Sequence, residues 1–74
     1  MREIIEKYLS DQGARLRQIR LQANYTQLEV AHLLNISQAI ISHIETGHFL
    51  PPENLEESLI KIYEGRTNEQ TSLF

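Results

Sequence analysis

Seventy-four residues with a formal charge of −3 and no cysteine allow one small domain, without a disulfide framework or a thiolate metal site. A chain this short hides only about 60% of the surface its unfolded form exposes, so its core must be efficient or a second copy must help. No apolar run approaches the roughly 20 residues of a membrane span, and Met1-Arg2-Glu3 does not open an apolar leader, so a soluble, cytoplasmic protein is expected.

A negative total argues against a nonspecific nucleic-acid coat, which needs clustered Lys and Arg. The charge is uneven, however. Residues 13–44 set Arg15, Arg17 and Arg20 against Glu29 alone, whereas residues 45–74 set six glutamates against Lys61 and Arg66. One end of the chain is therefore better suited to face an anion than the other.

Ile4, Ile5, Tyr8 and Leu9 share one helical face, which predicts a short helix over residues 2–9. Ser10 and Asp11 are good helix-capping residues, and they predict a new start and a second helix over about residues 12–23. Gly13 falls near that start, where its cost is lowest. Leu16, Ile19 and Ala23 form its core-facing stripe, and Asn24 follows where a left-handed backbone is often needed.

Thr26-Gln27-Leu28-Glu29 is a capping box opening the next helix: the hydroxyl takes a free amide and the carboxylate reaches back to the cap's own N–H. Val30, Ala31 and Leu34 fall on one face, with Ala31 small enough for a close helix crossing. Asn35 occupies a tight turn, Ser37 caps a further helix, and Gly47 ends it. Within that helix Ile36, Ile40, Ile41 and Ile44 occupy one half of the circumference, and Gln38, Ala39, Ser42 and His43 the other. The second half offers an amide, a methyl, a hydroxyl and an imidazole, and no long charged chain. Two short helices joined by so tight a turn define a helix-turn-helix, whose second helix enters a DNA major groove.

Pro51 and Pro52 stiffen a connector. A last helix is expected to about Tyr63, with Glu53, Glu56 and Glu57 near its positive end, Leu55, Leu59 and Ile62 buried, and Gly65 as its stop. Phe49 is expected as a core plug under the connector. The organisation predicted is an extension over 1–11, a domain over 12–64 and a flexible tail over 65–74 that is polar until Leu73 and Phe74.

From Gly13 to Tyr63 the chain resembles the Cro/repressor (xenobiotic-response-element) family of phage and bacterial helix-turn-helix regulators. The resemblance rests on Gly13, Leu16 and Arg20, on Thr26, Gln27, Val30 and Ala31, and on Ile36, Ser37, Ile41, Ser42, Ile44, Glu45 and Gly47 at the family's spacing. Pro52 and the stripe of the last helix continue it. It implies an all-α, lambda-repressor-like bundle of four or five helices, acting as a homodimer on a palindromic double-stranded DNA operator.

Residue by residue, the resemblance implies that Gln27 touches a phosphate and steadies Gln38. Gln38 is suited to a bidentate contact with adenine. Ala39 is placed against a thymine methyl, Ser42 and His43 near bases or backbone, and Thr46 on a phosphate, while Ser37 completes the DNA-facing set. Arg20 and Glu45 match the family's internal ion pair. The segment after Gly47 is His48-Phe49-Leu50-Pro51-Pro52-Glu53 where relatives are often basic, so low nonspecific affinity and a shallow salt dependence are expected.

The function expected is a sequence-specific DNA-binding transcription regulator, a repressor. The alternative is a protein-interaction module, such as an antirepressor or antitoxin-like partner, that keeps the fold without strong DNA binding. The acidic second half favours the alternative; the clash-free polar face opposes it. His32, His43 and His48 lack metal-ligand spacing, and no nucleophile–base set or phosphate-cradling loop is present. No enzyme activity, metal or cofactor is expected.

Overall fold

A computed structural model describes residues 2–72, with side-chain surroundings through residue 67. Four helices follow in order: α1 (Arg2–Gln22), α2 (Gln27–Leu34), α3 (Gln38–Glu45) and α4 (Glu53–Ser72), with no strand among the described residues. α3 packs against both α2 and α1, and α4 closes on α1.

The core is made where the periodic stripes meet. Ala23, Val30, Ala31, Ile41, Leu59 and Tyr63 form one buried cluster, with Ile19, Tyr25, Leu34, Ile36, Leu55 and Ile62 packed around it. Leu16 and Ile44 are buried as well. Burying a side chain such as Ile41 fully contributes about 1.5–3 kcal/mol, so the isoleucine half of α3 is what holds that helix in place. Ala31 is 2% exposed, as expected of a small residue at a close helix crossing. Tyr63 extends the α4 stripe by one more turn beyond Leu59.

The two helices expected at the amino terminus are a single one. α1 runs unbroken through Ser10 and Asp11. Instead of capping, Asp11 accepts a hydrogen bond from Lys7 Nζ at 3.2 Å, and Arg2 pairs likewise with Glu6. The first of these i,i+4 pairs supports the helix across the expected break, and the second supports its opening turns. Capping residues are permissive inside a helix when nothing else stops it, and no proline does so here.

Gly13 therefore lies in mid-helix and has a different purpose. A Cβ built on it would meet the Ile44 carbonyl oxygen and lie 2.6 Å from that of Glu45. The glycine lets α1 touch the end of α3 backbone to backbone.

α4 also runs past its expected stop. Gly65 lies within the helix, with open space where a side chain would project. Its helical cost of about 1 kcal/mol is not enough to end a helix that continues on both sides. Leu73 and Phe74, at the end of the expected tail, lie outside the described residues.

Phe49 is no core plug. It is 40% exposed, and its ring lies edge-on to His43 at 6.4 Å. Ile4, Ile5 and Tyr8, on the first turns of α1, are 72%, 57% and 54% exposed.

Candidate nucleic-acid interface

The start of α2 is fixed by its own residues. Thr26 Oγ1 accepts from the Glu29 amide at 3.1 Å, and the Glu29 carboxylate accepts from the Thr26 amide at 2.9 Å. Those bonds hold the Glu29 carboxyl below its ordinary pKa, the Thr26 backbone amide being the larger cause. Upstream, Asn24 adopts φ 61°, the left-handed value its side chain tolerates.

The turn into α3 follows the same local logic. Asn35 closes α2 at φ 56° and ψ 45°, and the Ile36 amide donates back to the Ala31 carbonyl at 3.0 Å. Ser37 then caps α3, its Oγ accepting from the Ile40 amide at 3.4 Å. With both ends of the turn satisfied, the angle between α2 and α3 is set by buried contacts of Val30 and Ala31 with the isoleucine face.

Across from those isoleucines, Gln38, Ala39 and His43 are exposed and Ser42 is half-buried. The rim faces outward, as the wheel positions predict. Ser37 and Thr46, at the two ends of α3, are exposed too.

Behind the rim lies a chain of polar contacts. Arg20 Nε donates to Glu45 Oε2 at 2.6 Å and Arg20 Nη2 to Oε1 at 3.0 Å, with both side chains buried. Arg20 Nη1 also donates to the Tyr25 carbonyl at 2.7 Å. Glu45 raises the pKa of Arg20 through the hydrogen bond first and its charge second, against the opposing effect of burial. Gln27 Nε2 donates to Glu45 Oε1 at 3.0 Å, and Gln38 Nε2 donates to Gln27 Oε1 at 3.4 Å. The arginine that links α1 to α3 is thus tied, through the side chains of Glu45 and Gln27, to the first residue of the outward helix.

The far end of α3 differs from its expected form. Thr46 Oγ1 donates to the Ser42 carbonyl at 2.9 Å and lies 2.8 Å from His48 Nδ1. A hydroxyl has one proton to give, so any phosphate contact donated by Thr46 competes with its own helix end. His43 stacks on His48 with ring centroids 4.9 Å apart. The sequence spacing does not predict this pairing of imidazoles, which depends on Gly47, whose φ of 84° turns the chain back over α3.

Arg15 and Arg17 are both exposed on α1. Arg15 Nη1 lies 4.0 Å from Glu56 Oε1, a loose surface pair. Arg66, on α4, sits over the Tyr25 ring at 4.3 Å, a packing contact for which the sequence carried no local signal.

A short capped helix, a left-handed asparagine turn, and a second helix with an apolar back and an uncharged outer face form a helix-turn-helix. The helix-turn-helix family profile matches residues 16–57, more than half of the chain. The protein belongs to the Cro/repressor-type helix-turn-helix family of DNA-binding transcription regulators, which is not a family of enzymes. No curated protein and no solved structure matches the chain. Among the described residues, no helix is long and apolar enough to cross a membrane, and no group of three or more His, Cys, Asp or Glu could hold a metal ion.

Proposed function

We propose that the protein is a sequence-specific repressor that lays α3 in the major groove of a double-stranded operator. Gln38 and Ala39 read base edges, with Ser42 and His43 further along the same groove. Gln27, Ser37 and Thr46 contact the phosphate backbone and set the register. The observation that carries this is the position of Gln38: exposed at the first turn of a helix anchored by buried Ile41 and Ile44, and held by Gln27. A glutamine amide braced in that place can meet adenine N6 and N7 together.

Two half-sites require a dimer with recognition helices about 34 Å apart. Exposed Ile4, Ile5 and Tyr8 offer apolar surface that the protein's own core does not use. Repression follows from occupancy, since a domain seated on a promoter blocks other proteins from the same groove. In domain terms, this reading joins residues 2–11 to the domain over 12–64, and the unbroken α1 supports it.

Selection of bound duplexes from a random pool, followed by binding at several salt concentrations, tests the proposal. A single enriched palindrome with a shallow salt slope is the expected result. Failure to enrich any sequence at low salt would transfer the case to the protein-interaction module, which the glutamate-rich second half of the chain favours.

A further inference from the structure

We infer that buried Glu45 is a specificity-determining positioning residue: through Gln27 it sets which face of the Gln38 amide is presented to a base. The inference rests on the DNA-reading role proposed above for Gln38. It adds a function to a glutamate whose evident role is to pair with Arg20.

The argument is one of donor and acceptor sense. An ionised carboxylate can only accept. Glu45 takes two bonds from Arg20 and, at 3.0 Å, one from Gln27 Nε2. The NH2 group of Gln27 is thereby committed inward, and its carbonyl oxygen must be the atom turned to Gln38. A carbonyl also only accepts, so Gln38 must answer with its own NH2, as it does at 3.4 Å. Each amide in the chain has one orientation because the last acceptor is a charge.

The consequence appears at the outer end. With one N–H spent on Gln27, Gln38 has one N–H and its carbonyl oxygen left, a donor beside an acceptor. Adenine presents the complementary pair, N7 and N6–H2, in the major groove, whereas guanine presents two acceptors, N7 and O6. A reversed chain would place the Gln38 carbonyl on Gln27 and leave both N–H groups facing out, which suits guanine. The base preference of Gln38 is thus set two side chains away, in the core.

Glu45→Gln reverses the sense. The introduced carbonyl keeps the shortest bond, from Arg20 Nε, and its NH2 takes the place of Oε1, giving up the bond from Arg20 Nη2 and facing Gln27. Gln27 then turns its carbonyl inward and its NH2 outward, and Gln38 follows. Gln27→Met removes the relay while leaving Arg20 and Glu45 paired.

The test is selection from a random duplex pool with the parent, Gln38→Ala, Glu45→Gln and Gln27→Met, each checked by circular dichroism and thermal melting. Gln38→Ala marks the base pair that Gln38 reads. At that pair the parent is expected to favour adenine and Glu45→Gln guanine, each by about tenfold, the discrimination of a good bidentate contact. Gln27→Met is expected to lose most of the discrimination there. In Glu45→Gln, preferences elsewhere in the site stay as in the parent, which loss of structure alone would not produce; Gln27→Met also gives up its phosphate contact and binds every site more weakly. A folded Glu45→Gln or Gln27→Met that keeps the parent's adenine preference overturns the inference, and Gln27→Met decides it alone if Glu45→Gln melts below the selection temperature. A parent that enriches nothing is a different result: it removes the DNA-reading role itself.

Discussion

Gly13 and Glu45 meet through their backbones: a methyl group on Gly13 would lie 2.6 Å from the Glu45 carbonyl oxygen, closer than any stable contact. Here α1 and the end of α3 pack without room for a side chain between them. This explains why a glycine persists in the middle of a helix of 21 residues.

Gly13→Ala should therefore destabilise the protein, although alanine is the better helix former by about 1 kcal/mol. The obstructing atoms are main-chain carbonyls, which cannot swing aside, and overpacking of this kind costs about 1–3 kcal/mol. Urea denaturation of the two forms measures it. A more stable alanine variant would show that α1 and α3 do not touch here.

Gln38→Ala should weaken binding to the selected operator by about 1–3 kcal/mol and relax preference at one base pair. Stability should hardly change, because Gln38 is exposed. Titration against operators varied at each position provides the check. Equal affinities of parent and variant across the whole set would take Gln38 out of base reading.

Arg20→Met should cost about 3–5 kcal/mol, the penalty for leaving a buried charge without its partner. The Glu45 side chain is 3% exposed, so water cannot replace the guanidinium. A domain of this size has total stability of roughly 4–11 kcal/mol, and a large part of it should vanish in a thermal melt. Replacing Arg20 and Glu45 together by apolar residues should cost less than Arg20→Met alone, since no charge is then stranded. A double variant as unstable as the sum of the singles would contradict this.

Alkaline pH should unfold the protein earlier than its arginine pair alone would suggest. Burial pushes the Tyr63 phenol from 10.0 up to about 12, with Glu45 adding to the rise and Arg20 opposing it. The folded protein therefore keeps a proton that the unfolded chain releases. Stability from this group is complete below pH 10, falls as pH rises from 10 to about 12, and is gone above that. Melting temperatures across this range should fall less for Tyr63→Phe than for the parent.

Much of this structure was legible in the sequence wherever the cause is local. Thr26 with Glu29, Ser37 before α3, and the left-handed Asn24 and Asn35 each act within four residues, and each is found in its expected role. The separation of α3 into an isoleucine half and a polar half follows from periodicity alone. Arg20 and Glu45 lie 25 residues apart, and it was the family resemblance, with no contribution from spacing, that paired them.

What the chain concealed depends on neighbours in space. Ser10 and Asp11 look like a helix start, and only the side-chain pairs along α1 and the contact at Gly13 show why no start occurs there. Gly65 looks like a stop, yet nothing obstructs the helix that passes through it. Phe49 is as apolar as a core residue but follows a turn that brings it edge-on to the His43 imidazole. Tyr63 was read as a helix end although it lies four residues after Leu59, a spacing that could have marked it as core.

The planar fork of Arg20 has an evolutionary corollary. A lysine there would retain the cation, but a single ammonium cannot grip both carboxylate oxygens and the Tyr25 carbonyl in that flat arrangement. Losing the arginine alone strands a buried carboxylate, so descendants that abandon the ionic couple must change both positions nearly at once. Diverged homologues are then expected to possess the two residues jointly or to lack them jointly.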